Sequence, residues 1–183
     1  MTDLTNNLRN DGRVLVMGIG NYVLQDEGFG VHVVRHLAER GVPDGIDLLD
    51  GGTAGLHLMG NLEAYDRVVV IDASLDGCPV GTVRRLRPRY GEFPPLVTAH
   101  EIGLKDTLEA LQLTGGCPDV EMIVCSVEHY TSLGTELSPA VKDAVGPAGE
   151  MAAVAALPAH KGIDFPALGR RKPLNAAHTS SAA

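Results

Sequence analysis

Tryptophan is absent from the sequence and aromatic residues make up only 4% of it, so an aliphatic core is expected. Cysteine is scarce as well. Cys78, Cys117 and Cys125 are odd in number and form no C-x-x-C pair, which argues against a disulfide framework or a zinc ribbon and suits the reduced cytosol. Positive charge is in deficit, with 15 Lys and Arg against 23 Asp and Glu and a formal net charge of -8. A broad phosphate-tracking surface is excluded on that balance, and nucleic acid with it. No stretch approaches the ~20 apolar residues of a membrane span. The N-terminal MTDLTNNLRNDG lacks the apolar core of a signal peptide, so the expected location is the cytoplasm. No G-x-S-x-G elbow occurs and the cysteines have no evident activating partner; hydrolysis, if this chain performs it, needs metal or carboxylate chemistry.

What remains is an ordinary globular composition, 44% apolar over 183 residues. A chain of this size can bury roughly 70% of its unfolded surface in one domain. The expected division is a polar N-terminal segment at 1–12, a domain at 13–157, and a tail at 158–183, where Pro, Ser, Ala, Lys and Arg replace periodicity and disorder is expected.

Within the domain, RVLVMG at 13–18 is a short apolar run ending at glycine, as a buried strand is. Phe29, Val33 and Leu37 then recur at helical spacing until Gly41 and Pro43. Strand 46–49, helix 54–64 and strand 67–71 repeat the unit, and the VVVI core of the last suits burial on both faces. Only eight or so residues separate Asp72 from the next strand-like segment, 82–87, too few for a parallel crossover. A hairpin and an antiparallel strand are therefore expected. Leu104, Leu108 and Leu111 mark another helix, 120–126 another strand, and 139–157 a last helical region. Pro147 predicts a kink or break near Gly146 in that region. The fold class is α/β: a three-layer α/β/α sandwich around a mixed, mostly parallel sheet of about five strands with one antiparallel strand. Arg84, Arg85, Arg87 and Arg89 read as a solvated, charged edge, or alternatively as a docking patch for an acidic partner.

In such folds the site lies beyond the carboxyl ends of the strands. Four places qualify: Gly18-Ile19-Gly20-Asn21 with Asp26-Glu27, then Asp50-Gly51-Gly52-Thr53, then Asp72-Ala73, and His100. The G-x-G after the first strand is a weak dinucleotide signal, because its third glycine is missing and two acids stand where a pyrophosphate would sit. Glu27, Asp72 and His100 form a different set, two carboxylates and one imidazole at one sheet edge. That mixture suits zinc, nickel or a related divalent ion, and affinity order alone does not select among them. Read blandly, Glu27 is a helix N-terminal charge, Asp72 a turn acid and His100 a helix-start residue. His32 and His36 lie one helical turn apart and are expected at the surface, since Val33, Val34 and Leu37 claim the core stripe.

The chain resembles the hydrogenase maturation proteases. The resemblance rests on Gly18-Ile19-Gly20-Asn21, Asp26-Glu27-Gly28-Phe29-Gly30, Asp50-Gly51-Gly52-Thr53-Ala54-Gly55, Asp72-Ala73 and His100-Glu101-Ile102-Gly103-Leu104, in family order and spacing over 13–157. It implies an endopeptidase that recognises nickel in the immature large subunit of a nickel-iron hydrogenase and removes that subunit's C-terminal extension. The family's nickel-recognising ligands fall on Glu27, Asp72 and His100, with nickel held by the precursor rather than permanently by the protease. Asp50, in the family's D-G-G-T-x-G motif, is the candidate catalytic residue, as base for a water or as a guide for the substrate tail; its plain alternative is a turn acid satisfying the amides of Gly51 and Gly52. A monomer is expected. Val127-Glu128-His129-Tyr130 departs from the family's usual Gln-Pro or Pro-Glu element. Two rival readings stand beside this one: a non-catalytic assembly factor for the nickel-loaded subunit, and a nucleotide-binding module.

Overall fold

A computed structural model describes residues 12–53, 62–87, 110, 111, 113, 115, 117–128, 132–157 and 175–176. The strands are β1 (Val14–Ile19), β2 (Ile46–Gly52), β3 (Arg67–Ser74), β4 (Val83–Leu86), β5 (Asp119–Ser126) and a two-residue β6 (Asn175–Ala176). The helices are α1 (Phe29–Arg40) and α2 (Pro139–Ala156). The sheet runs β4-β5-β3-β1-β2-β6. Only the β4–β5 pair is antiparallel among the described residues.

Burial explains the order. All six residues of β1 are buried, which demands a neighbour on each side and cover on each face. It pairs with β2 from Val14↔Ile46 and with β3 from Val14↔Arg67. The α/β sheet with one antiparallel strand is as expected, but the hairpin is not. β4 pairs with β5, from Val83↔Cys125 to Leu86↔Met122, and β5 occupies the slot beside β3. The last six residues of β5 are all buried, so β5 needs the inner position, whereas the half-exposed VRRL of β4 tolerates an edge.

One face carries α1 and α2 over Val14, Val16, Ile46, Leu48, Val69, Ile71, Ile123 and Cys125. The opposite face buries Leu15, Met17, Val68, Val70, Met122 and Val124 against Leu62 and Leu111. Leu62 and Leu111 are core residues from the segments expected as helices at 54–64 and after Leu104; residues 54–61 and 101–109 lie outside the described residues.

Of the kink or break expected near Gly146, the break does not occur: α2 is continuous for 18 residues with Pro147 inside it. Pro147 is exposed, so the Asp143 carbonyl that loses its helical donor lies on the solvent side. Meanwhile Ala144, Ala148, Gly149 and Ala152 seat the other face on the sheet. Small residues allow that close seating, and packing overrides propensity. In the segment expected to be tail, Asn175 and Ala176 pair in parallel with Leu49 and Asp50.

Candidate active site at the carboxyl ends of the sheet

The glycines of the first motif work as contact points between backbones. A Cβ on Gly30 would overlap the carbonyl oxygens of Ile71 and Ile19, and one on Gly18 would overlap the Gly30 carbonyl. The start of α1 is thereby pressed against the ends of β1 and β3, closer than any side chain permits. Gly20 leaves β1 at φ +142°, against the Glu27 carbonyl. The chain then winds through a 3-10 turn, Gln25–Gly28, that delivers Asp26 and Glu27 buried at the entrance to α1. This packing accounts for the G-x-G spacing without a nucleotide.

The two acids part company. Asp26 Oδ1 accepts the backbone N–H of Ser138 at 2.7 Å, tying the turn to the start of α2. Glu27 is 4% exposed, and burial raises its carboxyl above the ordinary value.

Asp72 was expected to project beyond the sheet; it lies inside β3, opposite Val124 of β5, and is wholly buried. Oδ1 accepts the Ala73 N–H at 2.7 Å, while Oδ2 has no hydrogen-bond partner. Burial pushes this carboxyl well above the ordinary value, the Ala73 hydrogen bond opposes the shift, and the nearby charge of Glu27 adds to it. Two buried carboxyl groups near enough for one charge to disfavour the other, with a bare oxygen on Asp72, make a good oxygen donor set for a divalent cation. Their chemistry fits such an ion. His100 lies outside the described residues, and among the described residues no three metal-type side chains converge.

Asp50 also lies within a strand rather than past its end, between Gly18 of β1 and Ala176 of β6. Its Oδ1 accepts the Gly52 N–H at 3.2 Å, the turn-acid bond anticipated as the plain alternative. Its Oδ2 takes Arg35 Nη2 at 3.1 Å and Nε at 3.3 Å. Arg35 in turn stands over the Tyr22 ring at 4.1 Å, and Tyr22 stacks on His32 with centroids 4.9 Å apart. Asp50 Oδ1 keeps a lone pair for a water or a peptide N–H, while Arg35, whose two donors fill Oδ2, holds the carboxylate's orientation.

Arg35 and Tyr22 were not legible as site residues, since neither belongs to a spacing that chemistry demands. His32, expected at the surface, is half-buried. Its Nε2 is buried with no partner, and burial, the first cause, lowers its basicity against an opposing hydrogen bond to the Thr135 backbone. His36 Cδ2 comes within 3.6 Å of where a Cβ on Gly149 would stand. The α2 seat therefore covers part of the α1 face that periodicity alone gave to solvent.

The basic cluster is largely spoken for. Arg84 pairs with Asp76, while Arg85 Nε and Arg87 Nε each donate to the wholly buried Glu121 at 2.7 Å. Arg89 lies outside the described residues. These arginines balance carboxylates of β5 and of the β3–β4 link, and a free docking patch for an acidic partner has no support in them.

A mostly parallel α/β sheet with buried acids at the carboxyl ends of β1 and β3 sets its candidate chemistry where α/β folds of this class hold their ligands. Comparison with known proteins narrows this. A family model described as hydrogenase maturation protease matches residues 31–155. The hydrogenase 2 maturation protease of Escherichia coli K12 is 38% identical over 143 residues, covering 74% of this chain and 85% of that protein. The hydrogenase expression/formation protein HupD of Bradyrhizobium diazoefficiens is 37% identical over 148 residues, 78% of this chain and 77% of its own. Among solved structures, the hydrogenase maturating endopeptidase HybD from E. coli superposes with a TM-score of 0.71 at 34% identity, over 78% of this chain and 91% of that one. The chain belongs to the hydrogenase maturation protease family. It is accordingly a peptide hydrolase, as the motif resemblance implied.

Proposed function

We propose that this chain reads nickel held in the immature large subunit of a nickel-iron hydrogenase and removes that subunit's C-terminal extension. The observation that carries the reading is the buried Glu27–Asp72 pair, with Asp72 Oδ2 lacking a partner. Nickel belongs to the substrate in this picture. Glu27 and Asp72 offer it oxygen ligands, His100 a nitrogen, and the contact places the scissile peptide within reach of Asp50. Asp50 orients the attacking water or the substrate tail, with Arg35 fixing the carboxylate, so that much of the rate gain comes from positioning. The working unit is residues 13–157, acting as a monomer in the cytoplasm; no described helix is long and apolar enough to cross a membrane.

Intact mass spectrometry of the precursor subunit, nickel-loaded and nickel-free, tests the reading. The loaded precursor loses its C-terminal peptide and the nickel-free one does not, and zinc fails to substitute. Equal cleavage of both forms contradicts nickel recognition while leaving a plain protease. Nickel-dependent binding without loss of mass favours the non-catalytic assembly factor instead.

A further inference from the structure

β2 is the last full-length strand on its side of the sheet. Its inner edge pairs with β1 along Ile46–Gly52, whereas its outer edge meets only Asn175 and Ala176 among the described residues. Sheet edges are commonly guarded by charge, proline or a covering element. Here Asp47 is engaged by Arg13 at 2.7 Å and by the Tyr65 hydroxyl at 2.9 Å, and Asp50 by Arg35. Neither carboxylate is spent on guarding the edge. The strand then ends in Gly51-Gly52, and a Cβ on Gly52 would meet nothing nearer than Asp50 Oδ1, at 3.9 Å. Glycine in a strand leaves room for another backbone to approach.

What lies on this edge is itself informative. A segment more than a hundred residues away in sequence supplies two residues of extended chain, in parallel, with Ala176 opposite Asp50. The edge therefore accepts polypeptide backbone by strand addition, the recognition mode in which main-chain hydrogen bonds supply affinity. We propose that the outer edge of β2 is the docking edge for an extended segment of the precursor, added in parallel beside Asp50, and that Asn175–Ala176 holds this edge until the precursor displaces it. The identity of the guest rests on the processing reading above; the backbone-accepting edge does not.

The test uses the full chain and its Asn175→Pro/Ala176→Pro variant, which removes both amide donors of β6 whichever of them is bonded. Hydrogen exchange is followed at the β2 amides that face away from β1. These amides exchange about tenfold or more faster in the variant, as expected when an edge loses its partner. A synthetic peptide spanning residues 171–180 then restores their protection in the variant in trans. With precursor, the variant shows a lower KM at unchanged kcat, and excess peptide inhibits the native chain competitively, a measurement that does not depend on the variant folding. Unchanged exchange in the variant, or a peptide that neither protects the variant nor inhibits the native chain, overturns the docking edge. A native chain that leaves nickel-loaded precursor uncut refutes the processing reading instead, and the exchange experiment still decides the edge.

Discussion

Asp72 on β3 and Glu121 on β5 are both wholly buried in the same sheet, yet their surroundings are opposite. Glu121 receives guanidinium donors from Arg85 and Arg87, one to each oxygen. Asp72 receives one backbone amide, leaves Oδ2 bare, and faces the charge of Glu27. A buried carboxylate costs stability unless it is paired and hydrogen-bonded. The β4–β5 edge meets that requirement within the protein. Asp72 at the β1–β3 crest does not, and in the proposed function its missing partner arrives with the substrate.

Substitution at the crest should have the largest effect, and on activity alone. Asp72→Asn keeps the shape and removes the charge; nickel-dependent processing should fall by about a thousandfold, about 4 kcal/mol of transition-state stabilisation. The melting temperature should stay level or rise, because no favourable ion pair is lost. A marked loss of stability with activity intact would reverse the roles assigned to the two acids.

Glu121→Ala should do the converse. It leaves a cavity at a wholly buried position while Arg85 and Arg87, 40% and 67% exposed, turn to water, and the urea midpoint should report a loss of about 2 kcal/mol, with the folded fraction still processing precursor at the native rate.

Asp76, in the link after β3, gives a third and smaller contrast. Burial favours its neutral form, but hydrogen bonds from the Cys78 backbone N–H and the Ser126 and Ser74 hydroxyls outweigh that and hold it down at about 2, against an ordinary 3.8. A depressed carboxyl stabilises the fold fully above pH 3.8 and loses that contribution as pH falls through about 2. Roughly 2 kcal/mol should disappear over that window, seen as a falling urea midpoint that flattens in Asp76→Asn.

The smallest effect belongs to the positioning of Asp50. Arg35→Ala should cut kcat by about tenfold, about 1.4 kcal/mol, with KM nearly unchanged, while Arg35→Lys should recover only part of it, because a lysine cannot present two donors in a fork.

Much of this was visible in the sequence. Runs such as VVVI on β3 gave the buried parallel strands, because burial on both faces suppresses alternation. The order of β4 and β5 was not visible, since proximity in the chain favours a hairpin while the competition of two strands for an inner slot is a tertiary matter. Glu27 and Asp72 were found from their place near strand ends, but their burial was not, because a side chain's depth depends on what the glycine contacts at 18, 20 and 30 bring against it. Arg35 and Tyr22 had no signal, and His32 had only its spacing from His36, which says nothing of its stacking on Tyr22. β6 is too short to carry a pattern at all.

The central claim is that the Glu27–Asp72 pair is completed by nickel that the precursor brings. Nickel K-edge absorption on the loaded precursor, alone and bound to the protease variant Asp50→Asn to slow turnover, tests it most directly. The account predicts added oxygen and nitrogen neighbours at about 2 Å in the complex, with the oxygen contribution reduced when Asp72→Asn is introduced as well. An unchanged nickel coordination shell on binding, in a complex that forms at full occupancy, would contradict it.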